Sequence, residues 1–177
     1  MRKKKLLFIM PGLAAGGGEK ALVNLLGQLD YGRYDVDLFL LDHGGLFMDL
    51  LPREVRLLPL PARYERFRRP ALRSVLASLR AGDPELAFCR VLYAVRSRIG
   101  RTEAVREQYG WRYLRRALAS AVSDRYDAAI GFLEKTSTYF CVDLVRADRK
   151  IGWIHIDYDR LGMDPAFDDP YFAKLDH

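Results

Sequence analysis

Cysteine and histidine are scarce in this 177-residue chain, with two of the first and three of the second. Cys89 and Cys141 stand far apart in apolar surroundings. They match neither a Cys-x-x-Cys pair nor a zinc spacing, so two buried thiols in a reducing compartment are expected. The histidines pair neither with each other nor with a cysteine, so no metal site is expected. No Gly-x-Ser-x-Gly elbow is present, which removes the serine-esterase reading. The apolar run from Leu6 to Pro11 is far below the roughly 20 residues a bilayer-spanning helix needs. The basic start Arg2-Lys3-Lys4-Lys5 has the outline of a signal peptide. Its apolar part is too short, however, and a glycine turn replaces the cleavage site, so a strand and a cytoplasmic protein are expected. Internal repeats and low-complexity segments are also missing.

What is present is ordinary globular material, 50% hydrophobic and 29% charged, enough to bury a core without metal or disulfide. The net charge of +6 is uneven. Residues 62 to 116 hold fourteen arginines, no lysine and five acids, or +9, and the remainder is −3. Such a patch attracts anionic lipid, nucleic acid or phosphorylated substrate, or is a solvated helical face. Tyr64-Glu65-Arg66-Phe67-Arg68-Arg69 interleaves aromatics with arginine, but this one segment is too little for a nucleic-acid reader.

Strand and helix patterns alternate at the start. Leu6 to Met10 reads as a strand buried on both faces. Pro11-Gly12 and Gly16-Gly17-Gly18 follow, then a helix with Leu22, Val23, Leu25, Leu26 and Leu29 on one face. Tyr34 to Leu41 reads as a second strand, Leu46 to Leu51 as a short helix and Val55 to Leu60 as a third strand. A helical insert over 62–123 comes next. Its three expected helices have inward stripes at Leu72, Val75, Leu76 and Leu79, then Phe88, Val91, Leu92, Val95 and Ile99, then Val105, Tyr109, Leu114, Leu118, Ala121 and Val122. Asp83 and Thr102 are the expected caps, and most of the arginine should face outward. Asp127 to Phe132, Glu134 to Val145 and Lys150 to Ile156 read as strand, helix and strand. The acidic, proline-containing tail past Asp157 reads as a loop or the approach to a linker. The fold class expected is α/β, a Rossmann-like doubly wound parallel sheet of about five strands with an Arg-rich helical insert.

Three places along this pattern can carry chemistry. Gly16, Gly17 and Gly18 before a helix N-terminus suit a phosphate, or form a structural tight turn. Their spacing is neither Gly-x-Gly-x-x-Gly nor a P-loop, and Glu19 would repel a phosphate seated directly there. His155 stands in Gly152-Trp153-Ile154-His155-Ile156-Asp157 at the end of strand five, where ligands of open α/β sheets bind. It is a donor to a sugar hydroxyl or phosphate, or a satisfied core histidine. Asp157 is its polar neighbour or an exposed loop residue, and His43 reads as a turn residue. Glu134, Lys135 and Thr136, after strand four, share that sheet edge. They read an acceptor, or Thr136 or Ser137 simply caps the helix.

These blocks, in this order, resemble the N-terminal domain of a GT-B glycosyltransferase of the large retaining group often called family 4. The resemblance rests on Lys5 to Leu13 with Gly16 to Lys20, on Tyr31 to Leu41, and on Lys150-Ile151-Gly152-Trp153-Ile154-His155. It spans nearly the whole chain except the Arg-rich insert. It implies that residues 1–177 are the acceptor-binding half of a two-domain enzyme. A nucleotide-sugar donor would be the co-substrate, with no essential metal and no other cofactor. The acceptor would be a glycan or lipid-linked glycan of cell-envelope or capsular polysaccharide synthesis. By position, Gly16, Gly17 and Gly18 would lie near the donor diphosphate and His155 near the transferred sugar. Glu134, Lys135, Thr136 and Asp157 would lie near the acceptor. The family's paired donor-site glutamates belong to a C-terminal domain that this sequence does not contain, so the chain alone is expected to be inactive. Tyr171 to His177 looks like the approach to a further strand. In that frame Arg66, Arg68, Arg69 and Arg73 would hold the domain peripherally on an anionic membrane face. Nucleic acid is not an expected partner. The competing reading is a non-enzymatic, flavodoxin-like module that uses the arginine surface for a polyanion or partner protein. A Rossmann dehydrogenase ranks third, because Asp42 is near the expected acid but the glycine spacing fails.

Overall fold

The computed structural model describes residues 2–177. One five-stranded, all-parallel sheet organises the chain, in the order β3-β2-β1-β4-β5. The strands are β1 (Lys4–Met10), β2 (Tyr34–Leu40), β3 (Arg56–Leu57), β4 (Arg125–Phe132) and β5 (Arg146–Trp153). The α/β, doubly wound architecture is therefore as the alternating pattern implies.

β1 is central, and its alternate side chains explain its continuous apolar run. Leu7 and Ile9 enter one core with Trp111, Tyr126, Tyr139 and Phe140. Phe8 and Met10 enter another with Leu22, Leu26, Leu38 and Phe132. The second core is closed by α1 (Gly17–Gly27), which follows β1. The first is closed by α6 (Thr136–Leu144), which follows β4. The helices that leave β1 and β4 thus lie on opposite faces of adjacent strands. That divergence is a topological switch point at the carboxyl ends of β1 and β4, the place where open parallel sheets form their ligand crevice.

Several boundaries move from the sequence expectation. β3 is only two residues long, because Pro59 and Pro61 remove the amide donors that a longer edge strand would need. β5 begins four residues earlier and ends at Trp153, opposite Phe132. His155 is therefore in the loop beyond the strand. The insert holds four helices, not three: α2 (Ala62–Phe67), α3 (Ala71–Arg80), α4 (Pro84–Arg96) and α5 (Glu103–Leu118). The caps are as expected, with Asp83 accepting from the Leu86 amide at 3.1 Å and Thr102 from the Val105 amide at 3.1 Å. Both cysteines are free and buried, and burial pushes the Cys141 thiol up to about 11.

The stripes of α3 and α4 are where the expectation fails most, while that of α5 largely faces the core. On α5 Leu118 is fully buried, and Tyr109, Leu114, Ala121 and Val122 of the predicted stripe pack half-buried against the first core, beside Trp111. On α3 the buried residues are Ser74 and Ser78, while Leu72 is 72% exposed. On α4 Leu86, Ala87 and Cys89 are buried, while Phe88 is 63% exposed and Val91, Val95 and Ile99 also face solvent. Helices α3 and α4 pack as an outer layer over α2 and α5, around Phe67, Leu86, Cys89 and Ala117.

The acidic tail is not a loop. A 3-10 turn at Asp159–Leu161 leads into α7 (Pro165–Phe172), whose Phe167 joins the first core. Asp164 caps α7 and accepts the Tyr109 hydroxyl at 2.6 Å. Gln108 clamps the Asp164 backbone through both its amide atoms. Asp168, fully buried, accepts the hydroxyls of Tyr139 and Tyr158. Burial and this carboxylate raise both phenols above their ordinary value. Residues 176–177 then lie along β5, with the Asp176 amide on the Lys150 carbonyl at 2.8 Å.

Candidate functional site at the switch-point edge

The crevice is built from three loops. After β1, Gly16 is the extended cap of α1, and Gly17 and Gly18 form its first turn. A Cβ on Gly18 would stand 2.8 Å from a Leu133 methyl and 3.6 Å from the His155 ring. A Cβ on Gly17 would stand 3.8 Å from His155 Nε2. The glycines are thus what allows the loop after β4 and the loop after β5 to close on the helix N-terminus. Glu19 folds back so that its carboxylate covers Gly16, where a Cβ would be 2.2 Å from an oxygen. Glu19, the residue expected to repel a phosphate here, thus lies over the entry to α1.

The loop after β4 carries unusual backbone. Leu133 and Lys135 have φ of 90° and 62°, although neither is glycine. Such conformations cost about 1 kcal/mol or more each and persist only where surroundings impose them. Between them Glu134 is buried, and its carboxylate accepts the His155 backbone amide at 3.2 Å. Gly131 lets α6 approach β4 so closely that a Cβ would be 2.8 Å from the Ser137 carbonyl. This places the start of α6 beside the crevice.

The structure brings together four of the predicted site residues, Gly17, Gly18, Glu134 and His155. It sends others elsewhere. Lys135 pairs with Glu107 of α5 at 2.6 Å, and the Thr136 hydroxyl donates to the same carboxylate at 2.6 Å. Lys135, not Thr136 or Ser137, is the cap residue of α6, and its side chain makes no capping bond. Asp157 accepts the Asp159 amide at 3.2 Å and pairs with Arg160, so it shapes the next turn. Asp42 pairs with Arg68 at 3.3 Å.

Sequence reasoning missed the role of Leu133, which seals the crevice floor, and the rim. Trp153, Ile154 and Ile156 are 44%, 46% and 49% exposed, an apolar border around His155. Trp153 stacks on Phe132 at 4.9 Å. The available signal was the apolar spacing on both sides of His155, which had been read as strand interior. His43, read as a turn residue, has a buried Nε2 without a partner in the loop after β2.

A concavity of about 420 Å³ lined by Lys3, Lys5, Tyr31, Asp37 and Arg56 lies at the opposite, amino-terminal edge. Its polar groups are mutually satisfied. Asp37 accepts two bonds from Arg56, at 2.8 and 2.6 Å, and one from Tyr126 at 2.7 Å. That end fastens the sheet. Among the described residues no cluster of three or more His, Cys, Asp or Glu is arranged to hold a metal ion, and no helix is long and apolar enough to cross a membrane. No protein-family model, no curated protein and no solved structure matches this chain.

Proposed function

We propose that this chain is the acceptor-binding half of a retaining GT-B glycosyltransferase, moving a sugar from a nucleotide-sugar to a glycan or lipid-linked acceptor. The observation that supports this best is the meeting of His155 with Gly17 and Gly18 at the switch-point crevice. A parallel sheet presents ligands there. The buried Glu134 carboxylate fixes the backbone at His155 and leaves the ring at the crevice mouth. In this reading the imidazole donates a hydrogen bond to the transferred sugar or its leaving phosphate. The α1 N-terminus supplies partial positive charge once Glu19 swings aside. Trp153, Ile154 and Ile156 take a donor domain or the apolar part of an acceptor. Cell-envelope or capsular polysaccharide synthesis is the setting this chemistry suits.

The test uses the whole gene product, donor domain included, incubated with labelled nucleotide-sugars and an extract of cellular lipids and glycans. Transfer of label is expected. His155→Ala should lower it by at least about a hundredfold, the loss typical of removing one preorganised donor. A gene product that transfers no sugar, or one indifferent to His155→Ala, would overturn the reading. The arginine-surface binding module would then be the better account.

A further inference from the structure

α3 is strongly amphipathic, and it is mounted inside out. Leu72, Leu76 and Leu79 face solvent, whereas Ser74 and Ser78 are fully buried with hydroxyls that find no partner. Burying unpaired hydroxyls while exposing leucines opposes folding on both counts. The small serines let α3 lie close on the layer beneath it. The neighbouring helix α4, packed against α3, also exposes Phe88, Val91 and Val95. An apolar face this extended on a charged protein marks an interaction surface.

The flank of the stripe identifies the partner. Arg73 and Arg80 stand seven residues apart on α3, so they share one side of the helix next to the leucines. With Arg69, Leu76 and Ala77 they line a concavity of about 450 Å³. Arg66 and Arg68 are held by Asp83, Asp42 and Glu65, but Arg69, Arg73 and Arg80 make no ion pair among the described residues. Residues 62 to 99 hold nine arginines and three acids, a net +6. Two copies meeting through this face would set +6 against +6, so self-association is disfavoured. Aliphatic side chains beside unpaired arginines, on helices lying side by side, match an anionic lipid surface. The apolar groups enter the acyl boundary while the guanidinium groups stay at the phosphates.

We infer that the α3–α4 hairpin docks this chain on an anionic phospholipid bilayer, with Leu72, Leu76, Leu79 and Phe88 inserted and Arg69, Arg73 and Arg80 on headgroup phosphates. This goes beyond charge attraction, because it assigns insertion to side chains that a soluble helix would bury. It does not depend on the sugar-transfer reading, and His155→Ala should leave it unchanged.

The test is co-sedimentation of the chain with phosphatidylcholine vesicles, alone or mixed with phosphatidylglycerol, at low and high salt. Binding to the mixed vesicles only, weakened by salt, is expected. Two triple variants separate the contributions. Arg69→Glu with Arg73→Glu and Arg80→Glu should weaken partition by about a hundredfold. Leu72→Ser with Leu76→Ser and Leu79→Ser should weaken it by roughly tenfold or more, although the charge is untouched. All six positions are at the surface, and unchanged circular dichroism confirms that each variant is folded. Phe88→Trp adds a reporter whose emission should shift to the blue on the mixed vesicles and be quenched by brominated lipid. Equal binding to both vesicle types, no binding, a serine variant that binds like the parent, or an unshifted reporter would each overturn the inference. So would a dimer in chromatography that the serine substitutions abolish, which would give the face to a second copy.

Discussion

The sheet and the insert bury their apolar residues by opposite rules. In the sheet core, Leu7, Ile9 and Phe39 are fully buried, and Phe140 of α6 closes over them. In the outer insert, Leu72, Leu76 and Leu79 of α3 and Val91 and Val95 of α4 face solvent while Ser74 and Ser78 are buried. A hydrophobic period says that a helix has an apolar face. It does not say whether that face meets the core. In a two-layer unit the answer is forced, because the sheet is the only apolar neighbour. In a third layer, packed on helices that are themselves already covered, small side chains can take the contact.

That contrast predicts a graded series. Phe140→Ala, which removes a ring stacked on Phe39 at 4.7 Å, should destabilise the chain by about 3–5 kcal/mol in urea unfolding. Ser74→Ala and Ser78→Ala remove buried hydroxyls without partners and should each stabilise by a few tenths to about 1 kcal/mol. Leu72→Ala, at a surface position, should fall within about 0.5 kcal/mol of zero. If Leu72→Ala cost as much as Phe140→Ala, the outward face of α3 would be refuted.

A smaller effect sharpens the comparison at the base of the sheet. Asp127 is held below the ordinary carboxylate range by the Lys5 backbone amide at 2.8 Å, and also by Arg2 and Lys4. A depressed folded value means that its contribution is complete above the unfolded value near about 4 and is lost as pH falls through the folded one. The urea midpoint should therefore fall on acidification below about pH 4. Asp127→Asn should flatten that slope. An unchanged slope would show that this carboxylate does not hold β1 to β4.

The sheet was legible because continuous apolar runs such as Leu6 to Met10 have no other home than a covered parallel strand. The glycine loop was legible for the same local reason: three glycines in a row announce close approach. What approaches them was not, since Leu133 and the His155 ring arrive from strands over a hundred residues away. The tail was misread because Pro165 and Pro170 within eight residues look like a loop. Yet Pro165 sits in the first helical turn, where its missing amide costs nothing. The acids around it cap the helix and bind tyrosine hydroxyls instead of solvating a linker. The end of β5 was misplaced because Ile154 and Ile156 look like strand interior. They border the crevice instead.

On the proposed reading the two regions serve two partners: the switch-point edge would meet the reacting sugar, and the insert would meet the bilayer. The most direct measurement is an amide NMR titration of the labelled chain, first with a short-chain polyprenyl-diphosphate sugar and then with anionic bicelles. The account predicts that the first moves the resonances of Gly17, Gly18, Glu134 and His155. The second should move those of α3 and α4, with little overlap. One set of resonances responding to both additives, or a switch-point edge silent to the sugar, would contradict it.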